Sequence, residues 1–281
     1  MKVLCGPASP SLGKKLSSFL GAELLQCEFK RFPDGEVYVR IDEVDEPVTV
    51  VQSVCSAEDF IFLTLILDAL EGVDKIVVVP YFGYARQDRK FKEGESISIR
   101  ALARAIESDA EKIVSVNIHS QMAKNHFRRL IEVDAMPVIG ENFKEDDIVM
   151  ISPDMGSLKR VEIAAKYAGC DFDYLEKKRI DADRVEISPK EINVENRRVL
   201  IVDDIISTGG TIVEASRVLK SFGAKRVEAV CVHAVFANFA LNKLYNAGVE
   251  EVTSTDTVEK ITSRISVAEE IAEKIKNIGY S

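Results

Sequence analysis

From Arg198 to Thr211 the chain reads RVLIVDDIISTGGT, an apolar run closed by two adjacent carboxylates and followed by a loop of hydroxyl residues and glycines. Gly209 and Gly210 let the backbone turn its N–H groups inward, and a helix opening near Thr211 adds partial positive charge, so the loop suits a phosphate dianion. Ser207, Thr208 and Thr211 add hydroxyl donors. Asp203 and Asp204 repel one another if left bare, but a carboxylate accepts both O–H bonds of a vicinal diol, and either can help hold a magnesium ion. Phosphate at one end and diol at the other describe ribose 5-phosphate. The elements that must position these groups are a strand and a helix. Val199 to Val202 is short, β-branched and apolar, and Thr211 to Phe222 has helical spacing that closes at Gly223.

Other segments carry chemistry at similar places. VVVPYFGYARQDRK, Val77 to Lys90, leaves a strand for a loop in which Arg86, Arg89 and Lys90 can neutralise a polyphosphate. Gln87 and Asp88 there offer directional hydrogen bonds to a nucleotide or to metal-bound water. On spacing alone the same loop reads as a solvated charge run. RFPDGEVYVRI, Arg31 to Ile41, has a Pro-Asp-Gly turn followed by alternation, which is a hairpin pattern. His119 follows the apolar run Ile113 to Ile118, at a strand's C-terminal end, where an imidazole can meet a metal-phosphate or serve structure alone. SPDMGSLKR, Ser152 to Arg160, ends one strand and begins a helix. LEKKRIDADRVEI, Leu175 to Ile187, puts Lys177, Lys178 and Arg179 at the end of a short strand, a pattern ordinarily found on solvated faces. GPASPSLGKK, Gly6 to Lys15, looks like a Walker loop, but six residues separate its glycines and Lys15 stands where Ser or Thr is required.

A unit of helix, small residue, polar pair and strand recurs at Leu70 to Val79, Phe222 to Val232 and Ala247 to Thr255. Further strands are expected at Val48 to Val54, Ile113 to Ile118 and Ile148 to Ile151. Helices are expected at Phe60 to Glu71, Ser98 to Glu107, Ser157 to Ala168, Ala237 to Asn246 and Val267 to Asn277. This alternation predicts an α/β protein of two doubly wound domains, each a mainly parallel sheet flanked by helices, with a changeover near Met136-Pro137-Val138. No low-complexity linker intervenes, so the domains are expected to abut and to share one cleft. With 281 residues and 46% hydrophobic content there is material for two cores. No apolar stretch reaches membrane-spanning length and Met1 to Pro7 lacks a signal-peptide layout, so a soluble cytoplasmic protein without a membrane partner is expected. Five scattered cysteines without Cys-x-x-Cys spacing speak against a disulfide framework or zinc site. A net charge of −9 speaks against a general nucleic-acid binder.

The Asp203 to Thr211 string resembles the phosphoribosyl-diphosphate binding signature shared by phosphoribosyltransferases and ribose-phosphate pyrophosphokinases. The Arg86-Gln87-Asp88-Arg89-Lys90 segment is similar to one that the pyrophosphokinase family uses for ATP. The Phe32-x-Asp34-Gly35-Glu36 turn, His119, the Ser152-Pro-Asp154 segment and Lys177-x-Arg179 follow in that family's order. The resemblance implies two phosphoribosyltransferase-like domains, residues 1–137 and 138–265, with the C-terminal helix 266–281 packing back on the first. It implies transfer of the diphosphoryl group of MgATP to the anomeric hydroxyl of ribose 5-phosphate, with Mg²⁺ as cofactor, in nucleotide biosynthesis. Phe32, Asp34 and Glu36 would then line the adenine pocket of a neighbouring subunit, making the protein at least a homodimer, and Arg86, Gln87, Asp88 and His119 would complete the ATP site. His119 and Asp154 would be metal ligands, and Lys177 and Arg179 the catalytic cations. Asp203, Asp204, Ser207, Thr208, Gly209, Gly210 and Thr211 would hold ribose 5-phosphate. The chain departs from the family pattern at Asn117, where Asp is usual, and at Ser157, where a second Gly is usual. A phosphoribosyltransferase and a non-catalytic relative are the rival readings; the first has no use for the Arg86 segment, and the second would lack His119, Lys177 and Arg179.

Overall fold

The computed structural model describes residues 1–144, 147–179, 185–189 and 193–279, with the backbone alone described at 177–179 and 185–188. The chain divides into two compact units, one of Met1–Asp134, Asp256–Glu259 and Ser266–Ser281, the other of Ala135–Thr255 and Lys260–Ile265.

The first unit begins with β1 (Lys2–Cys5), α1 (Pro10–Leu20), β2 (Glu23–Leu24), β3 (Cys27–Arg31), β4 (Val37–Ile41) and β5 (Val48–Val51). It continues with α2 (Ala57–Ala69), β6 (Lys75–Val79), α3 (Ser98–Glu107), β7 (Lys112–Val116), α4 (Gln121–Lys124) and β8 (Leu130–Val133). Six strands form one parallel sheet in the order β2-β1-β5-β6-β7-β8. β5 and β6 are buried along their whole length, as strands with both faces covered must be. β3 and β4 pair separately as an antiparallel hairpin, the one expected at Arg31 to Ile41, and Phe29 packs edge-on against Phe62 of α2 at 5.8 Å.

The second unit contains α5 (Met136–Glu141), β9 (Ile148–Ser152), α6 (Leu158–Ala168), β10 (Asp171–Arg179), β11 (Val185–Pro189) and β12 (Arg198–Ile206). After these come α7 (Gly210–Ser221), β13 (Arg226–Ala234), α8 (Ala240–Asn246), β14 (Val252–Thr255) and β15 (Ser263–Ile265). Its sheet order is β11-β10-β9-β12-β13-β14-β15, and β11 alone among these strands runs antiparallel to its neighbour. The recurring unit read in the sequence is the helix-to-strand corner, and in each case it turns on a glycine at positive φ: Gly72 at 76°, Gly223 at 82° and Gly248 at 83°.

Several boundaries differ from expectation for identifiable reasons. α2 starts at Ala57 instead of Phe60 because Ser56 and Asp59 form a reciprocal capping box. β5 stops at Val51: Gln52 N still donates to Val78 O of β6, but Ser53 N turns to Ser9 Oγ in the loop after β1. β12 runs on through the aspartates to Ile206, paired with the equally long β13, so Asp203 and Asp204 lie within a strand and not after it. β10 is nine residues long, with Lys177 and Arg179 inside its ladder with β11.

The last helix, α9 (Ala268–Asn277), belongs to the first unit and packs on α1 and β8. The segment before it supplies the ties. Asp256, almost fully buried, accepts a bond from Val267 N at 3.0 Å and pairs with Lys15 Nζ at 2.8 Å. Glu259 Oε1 accepts from Leu12 N, in the first turn of α1, at 2.8 Å. This explains the Walker-like string. The strand, loop and helix are present, but the helix N-terminus that would face a phosphate is already capped by the chain's own carboxylate, and Ala8 N bonds Gln52 Oε1 at 3.0 Å.

In the second unit a charged ladder crosses the sheet. Glu228 of β13, 2% exposed, accepts from Arg198 Nη2 at 2.7 Å and pairs with Arg226, which also reaches Glu251 at 3.3 Å. Glu228→Ala leaves two guanidinium groups without their buried carboxylate and is expected to lower unfolding stability by about 2–3 kcal/mol. A urea midpoint unchanged from wild type would show that the ladder contributes nothing.

Candidate active site

Strand order in the second unit reverses between β9 and β12: the chain goes from β9 outward to β10 and then returns to the other side of β9. Open α/β sheets bind ligands outside the carboxyl ends of the strands at such a switch point. Both β9 and β12 end there in candidate segments, Ser152-Pro153-Asp154 and Asp203 through Thr211.

The turn after β12 is built to present donors. Gly209 caps α7 at φ 77°, a left-handed conformation that a side chain would strain. The first N–H groups of α7 have no carbonyl partner within the helix, as at any helix start. Ser207, Thr208 and Thr211 make no side-chain hydrogen bond among the described residues, and Thr208, Gly210 and Thr211 are exposed. Unpaired hydroxyls and amides around one left-handed glycine are donors of the kind that can receive a tetrahedral anion.

The two aspartates are not equivalent. Asp204 is 4% exposed and pairs with Arg160 Nη1 of α6 at 3.2 Å. Asp203 is partly exposed; its Oδ1 accepts from Ser157 Oγ and from Asp204 N, each at 2.9 Å. Burial, followed by the negative charge of Asp204, pushes the Asp203 carboxyl up to about 7. Arg160 therefore offsets the charge of Asp204, and Asp203 is the more accessible carboxylate of the two. Asp154 Oδ1 accepts from Gly156 N at 2.8 Å and Ser157 N at 3.2 Å, an Asx turn that starts the approach to α6. Sequence reasoning missed Ser157 and Arg160 as partners of the aspartates. Their only sequence signal was position, in and just after the turn following β9.

In the first unit the Arg86 to Lys90 segment follows β6, and its polar residues divide by role. Gln87 Nε2 donates to Arg89 O at 3.2 Å and to Glu95 Oε2 at 3.3 Å. Glu95 Oε2 also accepts from Phe91 N at 2.7 Å and Lys92 N at 3.1 Å, bonds that hold its carboxyl below the usual range. Asp88 Oδ2 accepts from Ser120 Oγ at 2.6 Å, and its carbonyl accepts from His126 Nε2 at 2.7 Å. Gln87 and Asp88 thus brace the loop, while Arg86, Arg89 and Lys90 are exposed. Ser120 and His126 bring the turn carrying His119 against the same loop, so His119 and the Arg86 segment lie together at the carboxyl ends of β6 and β7. Asn117, at φ 35°, donates to Asp134 Oδ1 at 2.8 Å.

Phe32, Asp34 and Glu36 are all exposed at the hairpin tip. Asp34 Oδ1 accepts from Glu36 N at 3.2 Å, and Phe32 meets Tyr38 edge-on at 6.1 Å. The backbones of Lys177 and Arg179 lie in β10 opposite Ile187 and Val185; their side chains are outside what the structure describes.

Two parallel α/β units, one with an anion turn at its switch point, define a phosphoribosyltransferase-type architecture. The N-terminal domain of ribose phosphate pyrophosphokinase matches residues 1–109, and the phosphoribosyl transferase domain matches residues 129–271. The ribose-phosphate pyrophosphokinase 2 of Archaeoglobus fulgidus is 55% identical over 275 residues, covering 98% of this chain and 100% of that protein. The ribose-phosphate pyrophosphokinase of Methanosarcina acetivorans is 45% identical over 285 residues, covering 99% and 100%. The crystal structure of phosphoribosylpyrophosphate synthetase from Mycobacterium smegmatis superposes with a TM-score of 0.82 at 26% identity, covering 99% of this chain and 98% of that one. The chain belongs to the ribose-phosphate pyrophosphokinase family.

Proposed function

We infer that this chain is a ribose-phosphate diphosphokinase, transferring the diphosphoryl group of MgATP to the anomeric hydroxyl of ribose 5-phosphate to give 5-phospho-α-D-ribose 1-diphosphate and AMP. The observation that carries this reading is the pairing of an anion turn after β12 with a first unit matched to the N-terminal domain of ribose phosphate pyrophosphokinase. A phosphoribosyltransferase needs only the first of these.

The anomeric oxygen attacks the β-phosphorus and AMP departs in line, so the protein's task is alignment and charge neutralisation rather than strong base catalysis. Ser207, Thr208 and Thr211, with the amides of Gly209 and Gly210, hold the 5-phosphate. Asp203 accepts the diol, and Asp204 with Arg160 fixes the floor beneath it. Arg86 and His119 meet the nucleotide phosphates, with Gln87 and Asp88 bracing them, and Lys177 and Arg179 offset charge on the moving diphosphoryl group. The candidate metal ligands are an imidazole and a carboxylate, few enough to suit a cation that binds largely through substrate phosphates and water. His119 would serve the metal on the nucleotide side, and Asp154 on the sugar side. Mg²⁺, when bound, supplies positive charge against the triphosphate.

A second copy of the chain completes the adenine site. Phe32, Asp34 and Glu36 stand exposed on the hairpin, and α2, apolar on nearly every side, leaves Ile61 47% exposed beside it. Ile61→Glu is expected to shift the sedimentation coefficient to that of a monomer and to weaken ATP binding at least tenfold, roughly the 1.4 kcal/mol of a lost apolar anchor. An Ile61→Glu protein that sediments and binds ATP as wild type does would remove this face from the assembly. The cytoplasm, where ATP is plentiful, is the compartment we assign.

The substrate reading is tested by following AMP release with ribose 5-phosphate, ribose and 2-deoxyribose 5-phosphate. Rapid release is expected with the first, none with ribose, which lacks the phosphate, and slow release with the last, which lacks the diol. Equal rates with all three would contradict it.

A further inference from the structure

The segment between β13 and α8 carries an unusual concentration of left-handed backbone. Phe236, Asn238 and Phe239 have φ of 50°, 53° and 58°, and none is glycine. Such conformations cost free energy and persist only where their surroundings over-determine them. The side chain of Phe236, partly buried, packs on the second unit's core, but Asn238 is exposed and Phe239 is 82% exposed, so for these two the side chains do not supply the reason. The backbone does. Val235 N and Phe236 N both donate to Ile206 O at 3.1 Å, and Ala237 N donates to Ser207 O at 3.0 Å. A Cβ on Gly209 would lie 3.5 Å from Ala240 Cβ, so the start of α8 packs directly against the turn.

We propose that residues 235–239 are a positioning platform for the ribose 5-phosphate turn. By holding the carbonyls of Ile206 and Ser207 on the side of β13, the platform keeps oxygen atoms from turning toward the bound phosphate and leaves amides and hydroxyls facing it. The left-handed turn at Phe236 lies inside the run of three consecutive N–H groups that meets two consecutive carbonyls, and those at Asn238 and Phe239 carry the chain from that run into α8. The inference rests on the reading of Ser207 to Thr211 as the phosphate site and assigns no substrate contact to the platform itself.

The test uses the full-length enzyme with Asn238→Val, Asn238→Ala and Asn238→Gly, measuring KM for each substrate separately together with thermal unfolding. Valine opposes a positive φ most strongly, alanine less, and glycine adopts it freely. The expected result is a rise in KM for ribose 5-phosphate of about tenfold for valine and a smaller rise for alanine, equivalent to about 1.4 kcal/mol at the larger value. Glycine is expected to match wild type, and KM for ATP to stay within about twofold throughout, since the platform touches only the sugar-phosphate turn. A merely structural role would lower the unfolding temperature and the amount of active enzyme while leaving both KM values in place. That outcome, seen in the valine variant or, if it does not fold, in alanine, overturns the proposal. Failure of wild type to use ribose 5-phosphate at all would instead overturn the functional reading beneath it.

Discussion

Lys177→Ala is expected to fold, to bind ATP and ribose 5-phosphate with near-normal affinity, and to turn over about 10²- to 10³-fold more slowly, the usual cost of losing one charge-stabilising contact made chiefly in the transition state. Lys177 lies in the antiparallel ladder of β10 with β11, where residues two apart such as Lys177 and Arg179 belong to one face of the ribbon. The backbone pairings of β10 with β11 and β9 do not depend on the Lys177 side chain. The diagnostic is a fall in kcat with KM almost unmoved, since uniform binding loss would raise KM instead. Pre-steady-state measurement of AMP formation separates this from slow product release. Near-normal turnover would remove Lys177 from the mechanism.

Asp203→Asn is expected to trade activity for stability. Burial and the neighbouring Asp204 raise the folded-state value of Asp203 from an ordinary 3.8 to about 7. Between those values the folded state keeps a proton that the unfolded chain has lost, so this group's contribution to stability falls as pH rises through that window. Above pH 7 the wild-type chain carries the full cost of a charged, partly buried carboxylate, and the amide does not. The variant is therefore expected to unfold at a higher temperature than wild type at pH 8, by about 2–4 °C for each kcal/mol relieved, with the advantage shrinking toward pH 4. Ribose 5-phosphate binding falls at the same time, by about 10- to 10²-fold for loss of a charged hydrogen-bond acceptor. Calorimetry across pH with and without ribose 5-phosphate checks both signs. A variant less stable than wild type at pH 8 would mean that Ser157, the Asp204 amide and Arg160 already compensate the charge.

What could be read in the sequence was local. β12, its glycine turn and α7 were visible because periodicity, β-branching and turn chemistry all lie within a few neighbouring residues. α3 was read to its ends because its apolar stripe is strong. What escaped depends on partners distant in the chain. Nothing near Asp204 announces that Arg160 will neutralise it, and nothing near Asp88 announces Ser120 and His126. The extension of β12 past the aspartates is dictated by the length of β13, another non-local fact. The Walker-like string was set aside on its own spacing, but the carboxylate that caps its helix, Glu259, lies far along the chain. The start of α8 was set three residues early because helical spacing cannot register the positive φ of Phe236, Asn238 and Phe239.

The most direct test is the phosphorus NMR spectrum of the wild-type protein mixed with ATP, Mg²⁺ and ribose 5-phosphate. If the diphosphoryl group moves intact to the anomeric oxygen, AMP and a sugar diphosphate ester grow in equal amounts while ADP and inorganic phosphate stay flat. Appearance of ADP with a sugar bisphosphate would mean that only the γ-phosphoryl group is transferred, and the account given for this chain would be wrong.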